Sequence, residues 1–185
     1  MKSILKSFLS KLAKNDTLWR YSSSSIARLS WYLEFERKLH EGTEENTIVN
    51  NAIDDVIPDL VVRHGPFQGM KYVEKTSISS ALFPKLLGSY EREIHWAVEE
   101  LCSNDYDNIV DVGCAEGYYA VGMAMRFPKA KVFAFDLNES ALQLCRDLAS
   151  LNGVGERVNL SSECAPATLA QIASTGKTLI ICDCD

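Results

Sequence analysis

The chain has 185 residues, 46% of them apolar, and a formal net charge of −6 at pH 7. That length suffices for one hydrophobic core with an appendage, and no apolar run approaches the roughly 18 residues of a membrane span. Basic residues do stand near Trp19, Tyr21, Trp31 and Tyr32, but the whole chain is acidic and carries no recognised nucleic-acid module, which argues against nucleic acid as a partner.

Charge is unevenly spread. Residues 1–40 hold eight Lys and Arg against Asp16, Glu34 and Glu36, a local balance of +5 that leaves −11 for the remainder. Ile4, Leu5, Phe8, Leu9 and Leu12 fall on one helical face, with Lys2, Lys6, Lys11 and Lys14 largely off it. Residues 1–45 therefore read as a basic, amphipathic helical extension. The face at 1–15 suits packing on its own domain or another subunit, and less readily an anionic membrane surface. It has neither the uninterrupted apolar centre nor the small-residue cleavage site of a secretory signal. The six cysteines, at 102, 114, 145, 164, 182 and 184, fall within expected core elements rather than in a disulfide framework, which predicts reduced thiols and a cytoplasmic protein. Cys182 and Cys184 lack a second Cys or His pair at zinc spacing, so no metal site is expected there.

The polar stretch Glu41–Asn51 reads as a linker. Residues 46–104 then form a lead-in region, with two extended segments between Asp59 and Val73 as a hairpin around His64-Gly65-Pro66 and Gln68-Gly69. Pro84 and Gly88 punctuate the approach to a helix over about Ser89–Cys102, where glutamates alternate with Ile94, Trp96, Ala97, Val98 and Leu101. From residue 105 onward strand and helix alternate: Asn108–Val112, Tyr118–Phe127, Lys131–Asp136, Glu139–Leu151, Arg157–Ser162, Pro166–Ala173 and Thr178–Cys184. This order predicts an α/β fold with a right-handed, doubly wound parallel sheet. Asn138 is the expected N-cap of the fourth of these segments.

The densest signal is Val110-Asp111-Val112-Gly113-Cys114-Ala115-Glu116-Gly117, followed about twenty residues later by Asp136. A β-branched strand runs into a helix through a turn of small residues, which exposes backbone N–H groups and lets a ligand approach the main chain. A carboxylate ending the next strand can accept both hydroxyl hydrogens of a ribose, or else cap the following helix. Asp111 sits inside the strand, an expensive place for a charge that a cationic ligand amine would justify. A dinucleotide fingerprint would read Gly-x-Gly-x-x-Gly, whereas the small residues here are Gly113, Ala115 and Gly117, so an NAD(P)-binding oxidoreductase is the weaker reading.

At these residues the chain resembles the class I S-adenosylmethionine-dependent methyltransferases. Within them it is most similar to the FkbM-like group, a resemblance that extends to Gly65–Tyr72, Leu87–Glu91 and Cys182–Asp185 and covers roughly residues 60–185. It implies a Rossmann-like sheet, S-adenosylmethionine as cofactor, and cofactor contacts at Asp111, Gly113, Ala115, Gly117 and Asp136. Glu91 and Glu163 are secondary candidates, the latter equally readable as a solvated loop acid. Asp183 and Asp185 are the candidates for taking the acceptor proton; a divalent-cation pair and a simple strand-end acid are the alternatives. Nitrogen-directed relatives often carry an Asn-Pro-Pro-aromatic turn where this chain has Asp-Cys-Asp, which favours O-methylation of a small-molecule or glycan acceptor.

The family continues for about three strands beyond the fourth, so the resemblance implies a C-terminally incomplete fold. The expectation is a truncated product of doubtful activity, whose exposed fourth strand invites pairing with another copy. An inactive remnant or interaction protein is the corresponding alternative.

Overall fold

The computed structural model describes residues 48–78 and 80–183, so the helical extension read at 1–45, together with Cys184 and Asp185, lies outside them. Asn51–Asp185 forms one compact unit. A helix, α1, covers 48–56 and starts inside the stretch read as a linker. Its polar composition masks one apolar spacing, since Ile53 and Ile57, four residues apart, are both fully buried.

The segment read as a hairpin pairs, but hardly as strands. Val61 and Lys71 form a single antiparallel bridge, flanked by Val62 N–H on Met70 O at 2.8 Å and Tyr72 N–H on Leu60 O at 2.9 Å. Positive φ at Leu60, Gly65 and Gly69 interrupts any longer extended run. Helix α2, Leu82–Leu87, takes Pro84 into its first turn, where a missing N–H costs nothing, and ends on left-handed Gly88. The next helix starts later than its periodicity suggests. Glu91 is left-handed at φ 48°, Arg92–Ile94 forms a 3₁₀ turn, and only His95–Leu101 is α-helical, as α3.

The remaining elements are β1 (Asn108–Val112), α4 (Tyr118–Arg126), β2 (Lys131–Phe135), α5 (Glu139–Leu151), β3 (Val158–Ser161), α6 (Pro166–Ala173) and β4 (Thr178–Cys182). They make a four-stranded sheet in the order β3-β2-β1-β4, parallel throughout. This is the Rossmann-like, doubly wound arrangement. Strands β2 and β3 are added on one side of β1 and β4 on the other, so the point where strand order switches lies between β1 and β4, at their carboxyl ends.

Register fixes the two faces. Val110 and Val112 of β1, with Phe133 and Phe135 of β2, pack against Leu169 and Ile172 of α6. The alternate residues Ile109 and Asp111 then point to the opposite face. Buried Asn108 ties the start of β1 to the turn before β4, donating to Thr175 Oγ1 at 2.9 Å and Ile172 O at 3.2 Å. β4 is an edge strand, with Ile180 half exposed. Asn138 caps α5 as expected, accepting from the N–H groups of Ser140 and Ala141. The lead-in segment is seated on α4 through Phe67, whose ring lies 2.4 Å from where a Cβ on Gly122 would be, and through Arg126, which donates to Pro66 O at 2.7 Å while pairing with Glu99.

Gly117 has two reasons to be glycine. Its φ is +98°, and a Cβ there would stand 2.5 Å from the Cys145 sulfur on α5, so the residue sets how closely α4 and α5 approach. Gly117→Ala is expected to cost on the order of 2–4 kcal/mol, combining left-handed strain with overpacking. Gly153→Ala, also at positive φ but with open space around its Cβ position, is expected to cost roughly 1 kcal/mol. Urea denaturation of the two variants beside the parent chain reads the difference.

Candidate active site

The carboxyl ends of the strands open into a cleft of about 720 Å³. β1 and the turn after it contribute Asp111 through Ala115, β2 contributes Phe135, Asp136 and Leu137, and the ends of β3 and β4 contribute Glu163 and Asp183. The lead-in segment closes the other side with Ser80, Lys85, Tyr90 and Glu91. Of the residues singled out in the sequence, Asp111, Gly113, Ala115, Asp136, Glu91, Glu163 and Asp183 thus line one cavity. Gly117 does not; its close contact is with Cys145 instead.

The turn spends its own donors. Gly113 and Cys114 N–H both bond Phe135 O, at 2.8 and 3.0 Å, and Gly117 N–H bonds Cys114 O. Ala115 N–H goes to Asp136 Oδ2 at 2.8 Å. The expectation that this turn offers its N–H groups to a ligand is therefore corrected at those four positions: with Gly113, Ala115 and Gly117 left-handed, two donors go to Phe135 O on β2, one to the Asp136 carboxylate and one back to Cys114 O. The turn shapes the cleft more than it hydrogen-bonds into it.

Asp136 is an organiser as well as a wall. Its Oδ1 accepts Asn138 N–H at 2.8 Å while Oδ2 holds the turn, so one carboxylate fixes both the preceding loop and the start of α5. Each oxygen retains a second lone pair for a hydroxyl donor from the cleft.

Asp111 is 2% exposed, and its Oδ2 has no hydrogen-bond partner in the protein. Burial pushes its carboxyl up to about 7, helped by the nearby charges of Asp183 and Asp136 and opposed by the Ala120 backbone N–H. A buried acceptor without a partner is costly.

Two buried charged residues went unnoticed in the sequence. Glu116 and Lys85, each about 2% exposed, form an ion pair. Ser77 Oγ donates to Glu116 Oε1 at 2.8 Å and Ile78 N–H to Oε2 at 3.1 Å, so the carboxylate clasps the 77–85 segment to the turn. Lys85 Nζ also lies 4.9 Å from the Tyr90 ring centre and 5.4 Å from that of Tyr118. The Ser before Ile78 and the Lys one turn after Ala81 give no local periodic signal, because the partners are 31 residues apart.

Glu91 turns inward through its left-handed backbone and accepts the Tyr119 hydroxyl hydrogen. Burial first, and then this bond, raise the Tyr119 phenol well above its ordinary range, so Tyr119 stays neutral. Burial likewise pushes Tyr118 up to about 12. Asp183, anchored by its N–H on Val112 O at 3.0 Å, is a carboxylate at the cleft's β4 end. Asp185 lies outside the described residues, among which no group of three His, Cys, Asp or Glu side chains could hold a metal ion.

Residues 103–185 match a family described as a methyltransferase domain. The chain is 38% identical over 82 residues to the release factor glutamine methyltransferase of Deinococcus radiodurans, covering 44% of this chain and 29% of that protein. It is 45% identical over 56 residues to the protein of the same description from Synechocystis sp., covering 30% and 19%. The chain thus spans less than a third of the length of these curated relatives. Among solved structures it is similar to an RNA methyltransferase from Salinibacter ruber in complex with S-adenosyl-L-homocysteine, at 19% identity and a TM-score of 0.34 over 40% of this chain and 47% of that one. The C-terminal domain of precorrin-6Y C5,15-methyltransferase from Rhodobacter capsulatus is similar at 17% identity and a TM-score of 0.37, over 45% and 43%. Residues 103–185 are therefore similar to a methyltransferase domain, and the similarity points to S-adenosylmethionine as the cofactor.

The Asp111 carboxyl sets a pH dependence. In the native chain it keeps its proton to about pH 7, against an ordinary value of 3.8, so stability is full below about pH 4, falls as pH rises towards 7, and levels off above. Asp111→Asn is expected to remove this slope and to stabilise the ligand-free chain at pH 8 by on the order of 2–4 kcal/mol. Melting temperatures of both proteins between pH 5 and pH 8 check it.

Proposed function

We propose that this cleft carries out S-adenosylmethionine-dependent methyl transfer to an oxygen acceptor on a small molecule or glycan, in the manner of the FkbM-like group. The observation that supports the reading best is the partnerless, buried Asp111 Oδ2 in a cleft bounded further along by the Asp136 carboxylate. An ammonium and a ribose diol are the two donors that these acids suit. The thiols of Cys102, Cys114, Cys145 and Cys164 are free, in keeping with a cytoplasmic setting.

In this reading Asp111 takes the cofactor's ammonium and Asp136 its ribose hydroxyls. Leu137, 83% exposed yet lining the cleft, offers an apolar surface to the base, with Glu163 at the rim. When bound, the cofactor supplies a methyl group on a sulfonium, already a good leaving group. What remains for the protein is chiefly positioning. Gly113 and Ala115 leave room for the ligand along the turn. Asp183, at the β4 end, is placed to accept the proton of the acceptor hydroxyl. Tyr119, held neutral on Glu91, orients rather than deprotonates. A glutamine acceptor, as the relatives' name states for them, is the second reading, favoured by their identity over the matched segment; the acid at position 183 favours the hydroxyl.

Isothermal titration of the 185-residue chain with S-adenosylhomocysteine, with NADH as the comparison ligand, tests the cofactor assignment. Micromolar binding of the first and none of the second is expected. Asp136→Asn keeps one acceptor oxygen for the turn but loses the charge, and should weaken binding roughly 10- to 100-fold with an unchanged circular dichroism spectrum. Failure of a folded chain to bind S-adenosylhomocysteine would leave the inactive-remnant reading in its place.

A further inference from the structure

The apolar stripe of α3 faces a second cavity, a groove of about 480 Å³. Ile94, just before the helix, and Ala97, Val98 and Leu101 on it stand at i, i+3, i+4 and i+7, the spacing of one helical face, and all four line the groove. Its other wall is β4 with the Asp183 that follows it, and Met123 of α4 contributes between them. Ile94 and Ile180, one on each wall, are 41% and 49% exposed, so the two walls stand apart.

The groove opens from the cleft. Glu91, Tyr119 and Asp183 line both cavities. From Asp183 back to Leu179 the strand covers four residues, roughly 13 Å, while α3 runs alongside to Leu101, whose chain leads on to Asn108 at the amino end of β1. Polarity is graded along this path. The carboxylates of Glu91, Glu93 and Asp183 and the Tyr119 hydroxyl stand at the cleft end, whereas beyond Ile94 the helices supply only Ala97, Val98, Leu101 and Met123. A glycan laid here would bring hydroxyls along its whole length, and each one desolvated against such side chains would be costly. An aliphatic chain carries no such cost.

Resting on the methyl-transfer reading of the preceding section, we propose that the groove between α3 and β4 holds the body of the acceptor, and that the acceptor is an alcohol on an unbranched aliphatic chain, its hydroxyl at the Asp183 end and its chain laid towards Leu101. The three acids at the cleft end admit a neutral hydroxyl and repel an anionic head group. Ala97, at the middle of the helical wall, then sets how wide a chain can enter.

The 185-residue chain, saturated with S-adenosylhomocysteine, is titrated with 1-hexanol, 1-octanol, 1-decanol and decanoate. Affinity for the alcohols should rise about fourfold for each added methylene, and decanoate should bind at least about 10-fold more weakly than 1-decanol. Ala97→Phe puts a ring into the groove and should weaken 1-decanol at least about 10-fold, with S-adenosylhomocysteine binding and the circular dichroism spectrum unchanged. Ile180→Ser, at a half-exposed position, is the gentler second variant and should weaken 1-decanol roughly 3- to 10-fold. Affinities that do not grow with chain length, decanoate binding as tightly as 1-decanol, or undiminished alcohol binding in both folded variants overturn the proposal and leave the cofactor reading intact. So does a dimer that Ile180→Ser dissociates and that takes up no alcohol, which would give the groove to a second copy of the chain. Failure of the folded parent chain to bind S-adenosylhomocysteine defeats the cofactor reading, and this proposal with it.

Discussion

The Asp136 carboxylate holds the site in shape. One oxygen binds the Ala115 amide of the turn after β1 and the other binds the Asn138 amide that starts α5, so two loops from adjacent strands share one acid. The turn needs such a restraint because Ala115 is a non-glycine residue at φ 47° between two left-handed glycines, a conformation that costs roughly 1–2 kcal/mol at a residue bearing a Cβ. Without the hydrogen bond the turn would relax and the floor of the cleft would move with it.

A second acid works from the other side. Glu116 points away from the cleft lining, into the lead-in segment, where Lys85, Ser77 and the Ile78 amide converge on it. Buried ion pairs contribute little net stability, since desolvation offsets their attraction, but stranding either member is strongly destabilising. The pair is therefore better understood as a registration device: it fixes where 77–85 lies against the turn, and so where Lys85, Tyr90 and Glu91 stand around the cavity. Asp111 contrasts with both acids. Asp136 and Glu116 are hydrogen-bonded within the fold, whereas Asp111 Oδ2 has no hydrogen-bond partner among the described residues.

Local signals made much of this legible. The β-branched run at Asn108–Val112, the small residues at 113, 115 and 117 and the acid at 136 each follow from short-range rules, as does the Asn138 cap. The parallel, doubly wound sheet followed from alternation with helices, but its strand order did not. Long-range features escaped: the Lys85–Glu116 pair spans 31 residues, and although Glu116 lies within the glycine-bearing turn, nothing local names Lys85 as its partner. The role of Gly117 was visible as a need for glycine but not its cause, because the Cys145 sulfur comes from a different helix. Likewise the periodicity of Ser89–Cys102 concealed the left-handed Glu91, whose inward turn depends on the Tyr119 hydroxyl. The turn amides read as ligand donors proved to be committed within the fold, those of Gly113 and Cys114 to Phe135 O of the parallel neighbour β2, which a local signal could not reveal.

In the proposed cofactor site Asp111 exchanges its proton for a cationic ligand. Titration of the chain with S-adenosylhomocysteine at pH 6.5, in two buffers of different ionisation enthalpy, measures the protons exchanged on binding. With the Asp111 carboxyl pushed up to about 7 in the free cleft, pairing with an ammonium restores the carboxylate, so a net release of a substantial fraction of a proton per site is predicted, absent in Asp111→Asn. Tight binding by the parent chain with the same heat in both buffers would contradict it.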